Sequence, residues 1–376
     1  MKTITKTSIT SIVAAMLGVT FPPLQAAKPA VGELAAAIKS GDFVGYQASA
    51  ATWLNQKAPA KPIGAALQAL LKDGEFRTVL NQWQLITKTS ADKLGAFSKA
   101  SPDNREFLNW LMKSAPVMDL YLEANVPIGI AAREENTYTL GTEALEIWKQ
   151  IRKADPASKD GIYLKLAIAT AIAPPGSVNI GAGGAAKHAE PVDRYEYYKK
   201  AYQNKELLPS FEHLTVWEYS LIVCSGATHE DLTWARKMVN TFRPDLRDKE
   251  RVVKSTSLVW RRAAPKQFYP NGYVNFKNVL AGGGKCGPKS SWGVMVNQTF
   301  GIPAIGVGQP GHACVAYKAA YPENQPQPGH AWKVDYGRGW QVSKLIGLTG
   351  EDFLAGVAER EYAAEFSQVE HLRWLA

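Results

Sequence analysis

The sequence predicts an α+β fold in which helices come first and strands come after. Two observations predict it. From Val31 to about Ala171 apolar residues return every three or four positions, the period of an amphipathic helix. Beyond about residue 270 the pattern changes to short alternating runs rich in aromatic and β-branched residues, broken by Gly and Pro. The two kinds of segment are segregated along the chain, which argues against alternating βα units and a parallel sheet.

Taken in order, "FVGYQASAATWLNQ", "PIGAALQALLKDG", "FRTVLNQWQLI", "NREFLNWLMKSA" and "TEALEIWKQIRK" each carry an apolar stripe, and polar or Pro-containing joints such as "NQKAPAKP" and "KASPDN" separate them. Trp53, Trp83, Trp110 and Trp148 fall on the apolar faces, so core packing is expected of them. The stretch "APPGSVNIGAGGAAKHAEPVDR" then shifts to Gly and Pro, as expected of a linker or a loop near a site. Two further helical stretches follow, "RYEYYKKAYQNKELLPSFEHLTVWEYSLIV" and "HEDLTWARKMVNTF". After them "GYVNF", "IPAIGVG", "HACVAYK", "WKVDYG" and "WQVSKL" read as strands, and "EDFLAGVAEREYAAEFSQVEHLRWL" as one closing amphipathic helix.

Size and composition narrow the classes. With 376 residues, 46% hydrophobic and 20% charged, the chain is long enough for two units with real cores and unlike a disordered one. Residues 1–26 carry two lysines, an apolar run from Ile9 to Phe21 and the small-residue exit Leu24-Gln25-Ala26, the order of a secretory signal. A periplasmic or secreted protein is therefore expected, cleaved near Ala26 or Ala27, without a stable membrane anchor, because no other segment reaches 18 apolar residues. The expected division is a signal peptide (1–26), a helical domain (27–172), a Gly/Pro-rich linker or loop (173–194) and a mixed domain (195–376). Net charge is +9, yet no block of five or six like charges occurs, and the dispersed basic residues do not read as a nucleic-acid face. Three cysteines, Cys224, Cys286 and Cys314, are too few for a disulfide framework and leave at least one thiol unpaired. The oligomeric state cannot be read from the sequence.

The stretch that carries chemistry is "AGGGKCGPKSSWG", residues 281 to 293. A phosphate-binding loop would need four residues between two glycines and then Lys followed by Ser or Thr, whereas Cys286 follows Lys285. A metal site could draw on Cys286, His312, Cys314 and His330, but the paired short spacings of structural zinc sites are missing. A nucleophile accounts for more of the residues. Cys286 stands at the predicted start of a helix that Pro288 suits in its first turn and that Gly301 and Pro303 end. A helix N-terminus and an adjacent lysine both favour a thiolate. The bland alternative is a small buried residue in a Gly-rich turn. A thiolate needs a base, and the base an orienting partner. His312 heads the strand "HACVAYK", and Asp335, in "WKVDYG", would lie beside it in an antiparallel pair. His330, in "GHAW", is the alternative base. Gln309, Trp292 and Trp340 are weaker candidates for lining a substrate groove.

The residues "GGGKCGPKSSWGVMVNQTFGIPAIGVGQPGHACVAY" followed by "AWKVDYGRGW" resemble the transglutaminase-like (papain-related) superfamily of cysteine enzymes, in a bacterial exported form. The resemblance covers about residues 270 to 345. It implies a Cys-bearing helix packed on an antiparallel sheet, and a catalytic triad with Cys286 as nucleophile, His312 as general base and acid, and Asp335 as orienter of the imidazole. It further implies acyl transfer through a thioester on peptide or protein amides, by hydrolysis or transamidation, with no cofactor and no metal. The backbone amide of Cys286 would then join the oxyanion pocket. A non-catalytic binding module for cell-envelope or glycan ligands is the alternative function.

Overall fold

The computed structural model describes residues 27–58, 65–128, 138–173, 189–248, 252–261, 276–318, 332–333 and 349–375. Most of them are helical, and a small three-stranded antiparallel sheet completes an α+β architecture.

The first half is a stack of helices: α1 (Val31–Ser40), α2 (Val44–Lys57), α3 (Ala65–Lys72), α4 (Gly74–Thr89), α5 (Ala91–Ala100), α6 (Pro102–Leu111), α7 (Ala115–Ala124), α8 (Thr142–Ala154) and α9 (Gly161–Ile172). Local chemistry starts several of them. The Asp73 carboxylate accepts from the amides of Glu75 and Phe76 at the head of α4, and Ser101 accepts from the Asn104 amide ahead of Pro102 in α6. Trp53 and Trp148 are buried, and Trp83 and Trp110 pack against the same core, as their helical positions predicted.

The second half continues with α10 (Pro191–Gln203), α11 (Val216–Val223), α12 (His229–Phe242), α13 (Pro244–Asp248), α14 (Phe276–Gly282) and α15 (Cys286–Thr299). Thr215 and Glu218 form a capping box at the head of α11. The expected strand "GYVNF" is corrected at its end, because Phe276 opens α14; residues 272–275 lie outside the described residues. Strand β1 (Ala304–Gln309) pairs antiparallel with β2 (His312–Lys318), from Ala304 opposite Tyr317 to Gln309 opposite His312. Strand β3 (Trp332–Lys333) pairs with the far end of β2, Tyr317 opposite Lys333. The remainder of "WKVDYG" and all of "WQVSKL" lie outside the described residues.

The closing helix is two helices, α16 (Gly350–Glu361) and α17 (Ala363–Leu375). Neither Gly nor Pro marks the break, which falls at Tyr362. Tertiary contacts hold each piece: Arg360 at the end of α16 is buried and donates to the Val126 carbonyl at 2.6 Å, while α17 brings His371 to Asp119. One hydrophobic cluster runs from Leu34 to Trp374 and takes in Trp292, Met295 and Val296 of α15. Among the described residues no helix is long and apolar enough to cross a membrane.

Candidate functional site

Cys286 is the first residue of α15, and the residues before it shape the approach. Gly283 takes φ +70°, a conformation that favours glycine, and its amide donates to the Val279 carbonyl at 2.8 Å, closing α14. The Gly284 amide donates to the Trp260 carbonyl at 2.8 Å. A Cβ at Gly284 would stand 2.5 Å from Pro288 Cβ, so the proline of the first turn requires glycine at 284. The helix cap is Lys285, whose side chain makes no capping bond. Among the described residues the amides of Cys286 and Gly287 find no acceptor, so two donors of the positive helix end stand beside the thiol.

The far end of α15 is clamped. Arg236 donates to the Thr299 carbonyl through Nε at 3.0 Å and through a terminal nitrogen at 2.8 Å, placing a cation at the negative helix end. The Gln298 side chain donates to the Leu221 carbonyl at 2.8 Å, and Thr299 Oγ1 to the Leu232 carbonyl at 2.5 Å. Cys286, half-buried, thus projects from a fixed helix.

The sheet lies directly on this helix. A Cβ at Gly293 would come within 2.9 Å of Val315, so glycine is what allows β2 so close. Side chains alternate along a strand. Val315 and Tyr317 share a cluster with Val294 of α15, whereas Ala316 and Cys314 pack with Ile305, Val307, Trp332 and Phe353 of α16. His312 belongs to the second set. From the Gly293–Val315 contact, seven helical residues lead back to Cys286 and three strand residues to His312, about 10 Å each way. The two therefore sit at the same end of the helix–strand pair, but His312 projects from the face turned away from α15. Neither side chain makes a hydrogen bond among the described residues, and the expected thiol–imidazole pair is not formed.

The remaining expected residues divide cleanly. Asp335, His330 and Trp340 lie outside the described residues. Trp292 lines no groove: it is fully buried and donates from Nε1 to Ser255 Oγ at 3.0 Å. Gln309 is buried at the end of β1, opposite His312, where the Pro310-Gly311 turn with Gly311 at φ +67° links β1 to β2. All three thiols are free. Cys224 is buried, and desolvation pushes its thiol up to about 12 against a weaker opposing effect of Arg194. His229, stacked on Tyr197, is pushed down to about 4, by burial first and by Arg194 second.

A second polar cluster escaped the sequence reading. Asp119 and Glu123, one turn apart on α7, meet His371 of α17, with one potential ligand atom of each within 4.8 Å of the others. The Asp119 carboxylate is already engaged, by Arg77, by Asn81 Nδ2 at 2.7 Å and by His371 Nε2 at 2.8 Å. A metal ion there would have to displace the guanidinium, so the donor set reads as a buried ionic network tying α17 to α4 and α7. Its members are some 250 positions apart, and only the i,i+4 spacing of Asp119 and Glu123 was visible locally.

Comparison with known proteins finds no matching family model, no matching curated protein and no matching solved structure.

Proposed function

We propose that this chain is an exported, thiol-dependent acyl-transfer enzyme acting on peptide or protein amides, with Cys286 as its nucleophile. One observation carries the reading: Cys286 opens a clamped helix, preceded by Lys285 in the chain, and its own amide and that of Gly287 find no acceptor among the described residues. The two amides offer donors for an oxyanion on the attacked carbonyl. The thiolate adds to the acyl carbon, and the amine leaves with a proton supplied by an imidazolium. The resulting thioester is resolved by water or a second amine, whose proton returns to the imidazole.

Two imidazoles are candidates for the base. They are His312, with Asp335 as its expected orienting carboxylate, and His330. Alternation turns His312 away from α15, and Trp332, two residues after His330, packs on that same far face, so the strand geometry favours neither.

The test is single-site replacement assayed on peptide and amine libraries. Cys286→Ser is expected to abolish turnover with an unchanged thermal midpoint, and of His312→Ala and His330→Ala the one that abolishes it identifies the base. Iodoacetamide at neutral pH is expected to label Cys286 well ahead of Cys224, whose burial suppresses its thiolate. Slow and equal labelling of all three cysteines would refute the enzymatic reading and leave the non-catalytic binding module.

A further inference from the structure

The charge of this chain is not spread over it. Between Arg251 and Pro322 stand nine lysines and arginines and no aspartate or glutamate. The other residues hold 34 of the 43 basic and all 34 of the acidic side chains, so the whole excess of +9 belongs to the segment around Cys286. The absence of long basic runs had concealed this imbalance.

Two of the nine are neutralised across the fold. Lys318 pairs with Glu218 at 2.5 Å in the interior, and Lys277 with Glu230 at 2.8 Å. Arg251, Arg262 and Lys266 lie outside the described residues. The other four, Lys254, Arg261, Lys285 and Lys289, have no carboxylate partner among the described residues, and all but the half-buried Lys289 are exposed. Three of these four lie near the thiol in the chain or across one backbone hydrogen bond. Lys285 immediately precedes it, and Lys289 stands about 4.5 Å further along the helix axis. Arg261 follows Trp260, whose carbonyl holds the Gly284 amide two residues before Cys286. Trp260 itself is 75% exposed, an indole left in solvent on the segment that holds Gly284.

We infer that the thiol end of α15 selects an anionic substrate, a peptide bearing free carboxylates, held by Lys285, Lys289 and Arg261 with Trp260 as an apolar platform. The inference rests on the acyl-transfer reading and names its substrate class. That chemistry decides between anionic polymers, because a peptide offers the acyl carbon that the thiol attacks and a nucleic acid does not. Unpaired cations around a half-buried site raise the local concentration of anions and the rate at which they arrive.

The experiment has two arms. In the first, Cys286 is alkylated with iodoacetate and with iodoacetamide, and the ratio of the two rates is compared with that of free cysteine in the same buffer. Three cations at about 8 Å, screened at about 0.1 M ionic strength, should raise that ratio roughly threefold, and about 0.5 M salt should remove most of the gain. Lys285→Gln, Lys289→Gln and Arg261→Gln together should also abolish it. In the second arm, fluorescence anisotropy measures a labelled hexapeptide of Glu and Ala, its Gln counterpart, and a single-stranded oligonucleotide on the Cys286→Ser protein. Preferential binding of the acidic peptide, lost in the triple variant, supports the inference even if Cys286 proves to be an ordinary thiol. An unraised ratio, equal binding of the two peptides, or tighter binding of the oligonucleotide overturns it, and a reactive Cys286 would still stand.

Discussion

Replacing Glu123 by Gln should remove a pH-dependent weakness from the interior. Glu123 lies one turn beyond Asp119 on α7, and one of its carboxylate oxygens is buried without a hydrogen-bond partner among the described residues. Burial raises its carboxyl from the ordinary 4.5 to about 7. A hydrogen bond from Ser367 opposes the rise, Asp119 and Glu370 add to it, and Arg77 opposes it. A carboxyl whose folded-state value lies above its unfolded one stabilises the protein fully below about pH 4.5, and that contribution is lost as pH rises through about 7. A rise of this size corresponds to about 3 kcal/mol. Gln mimics the neutral acid in shape and cannot ionise. The Glu123→Gln protein should therefore match the parent near pH 4.5 and exceed it by about 3 kcal/mol at pH 8. Urea unfolding followed by tryptophan fluorescence at both pH values measures the difference. A gap between the two proteins that is equal at pH 4.5 and pH 8 would refute the assignment of the buried proton to this residue.

Three further outcomes follow from the packing around the site. Gly293→Ala should cost about 1–3 kcal/mol in urea unfolding, since its methyl would meet Val315 at 2.9 Å, with Val315→Ala recovering part of the loss; a neutral or stabilised variant would mean that helix propensity outweighs the contact. Lys318→Met should cost about 3–5 kcal/mol, because it strands the buried Glu218 carboxylate, and a second change of Glu218 to Gln should return much of it. Thr215→Ala, which removes one arm of the capping box on α11, should cost about 1 kcal/mol by the same measurement.

Much of the candidate site could be read from the chain because its signals are local. Pro288 inside a first turn, Gly301 at φ +79° and Pro303 beyond it fix α15 within a few residues. The Pro310-Gly311 turn likewise fixes the hairpin of β1 and β2. Other features had no local signal. The split between α16 and α17 falls at a tyrosine with non-helical backbone (φ −94°, ψ 65°), and Arg360 and His371 anchor the two pieces to different partners, Val126 and Asp119. The Asp119 network joins residues from distant helices, and no short window contains it.

The sequence by itself determined the α+β order of elements and the placement of Cys286 at the tip of a helix, because capping, proline and glycine act over three or four residues. Only the tertiary structure decided which way His312 points. Strand alternation sets which residues share a face, but which face lies on α15 depends on how the sheet settles over Gly293, a contact between residues 22 positions apart.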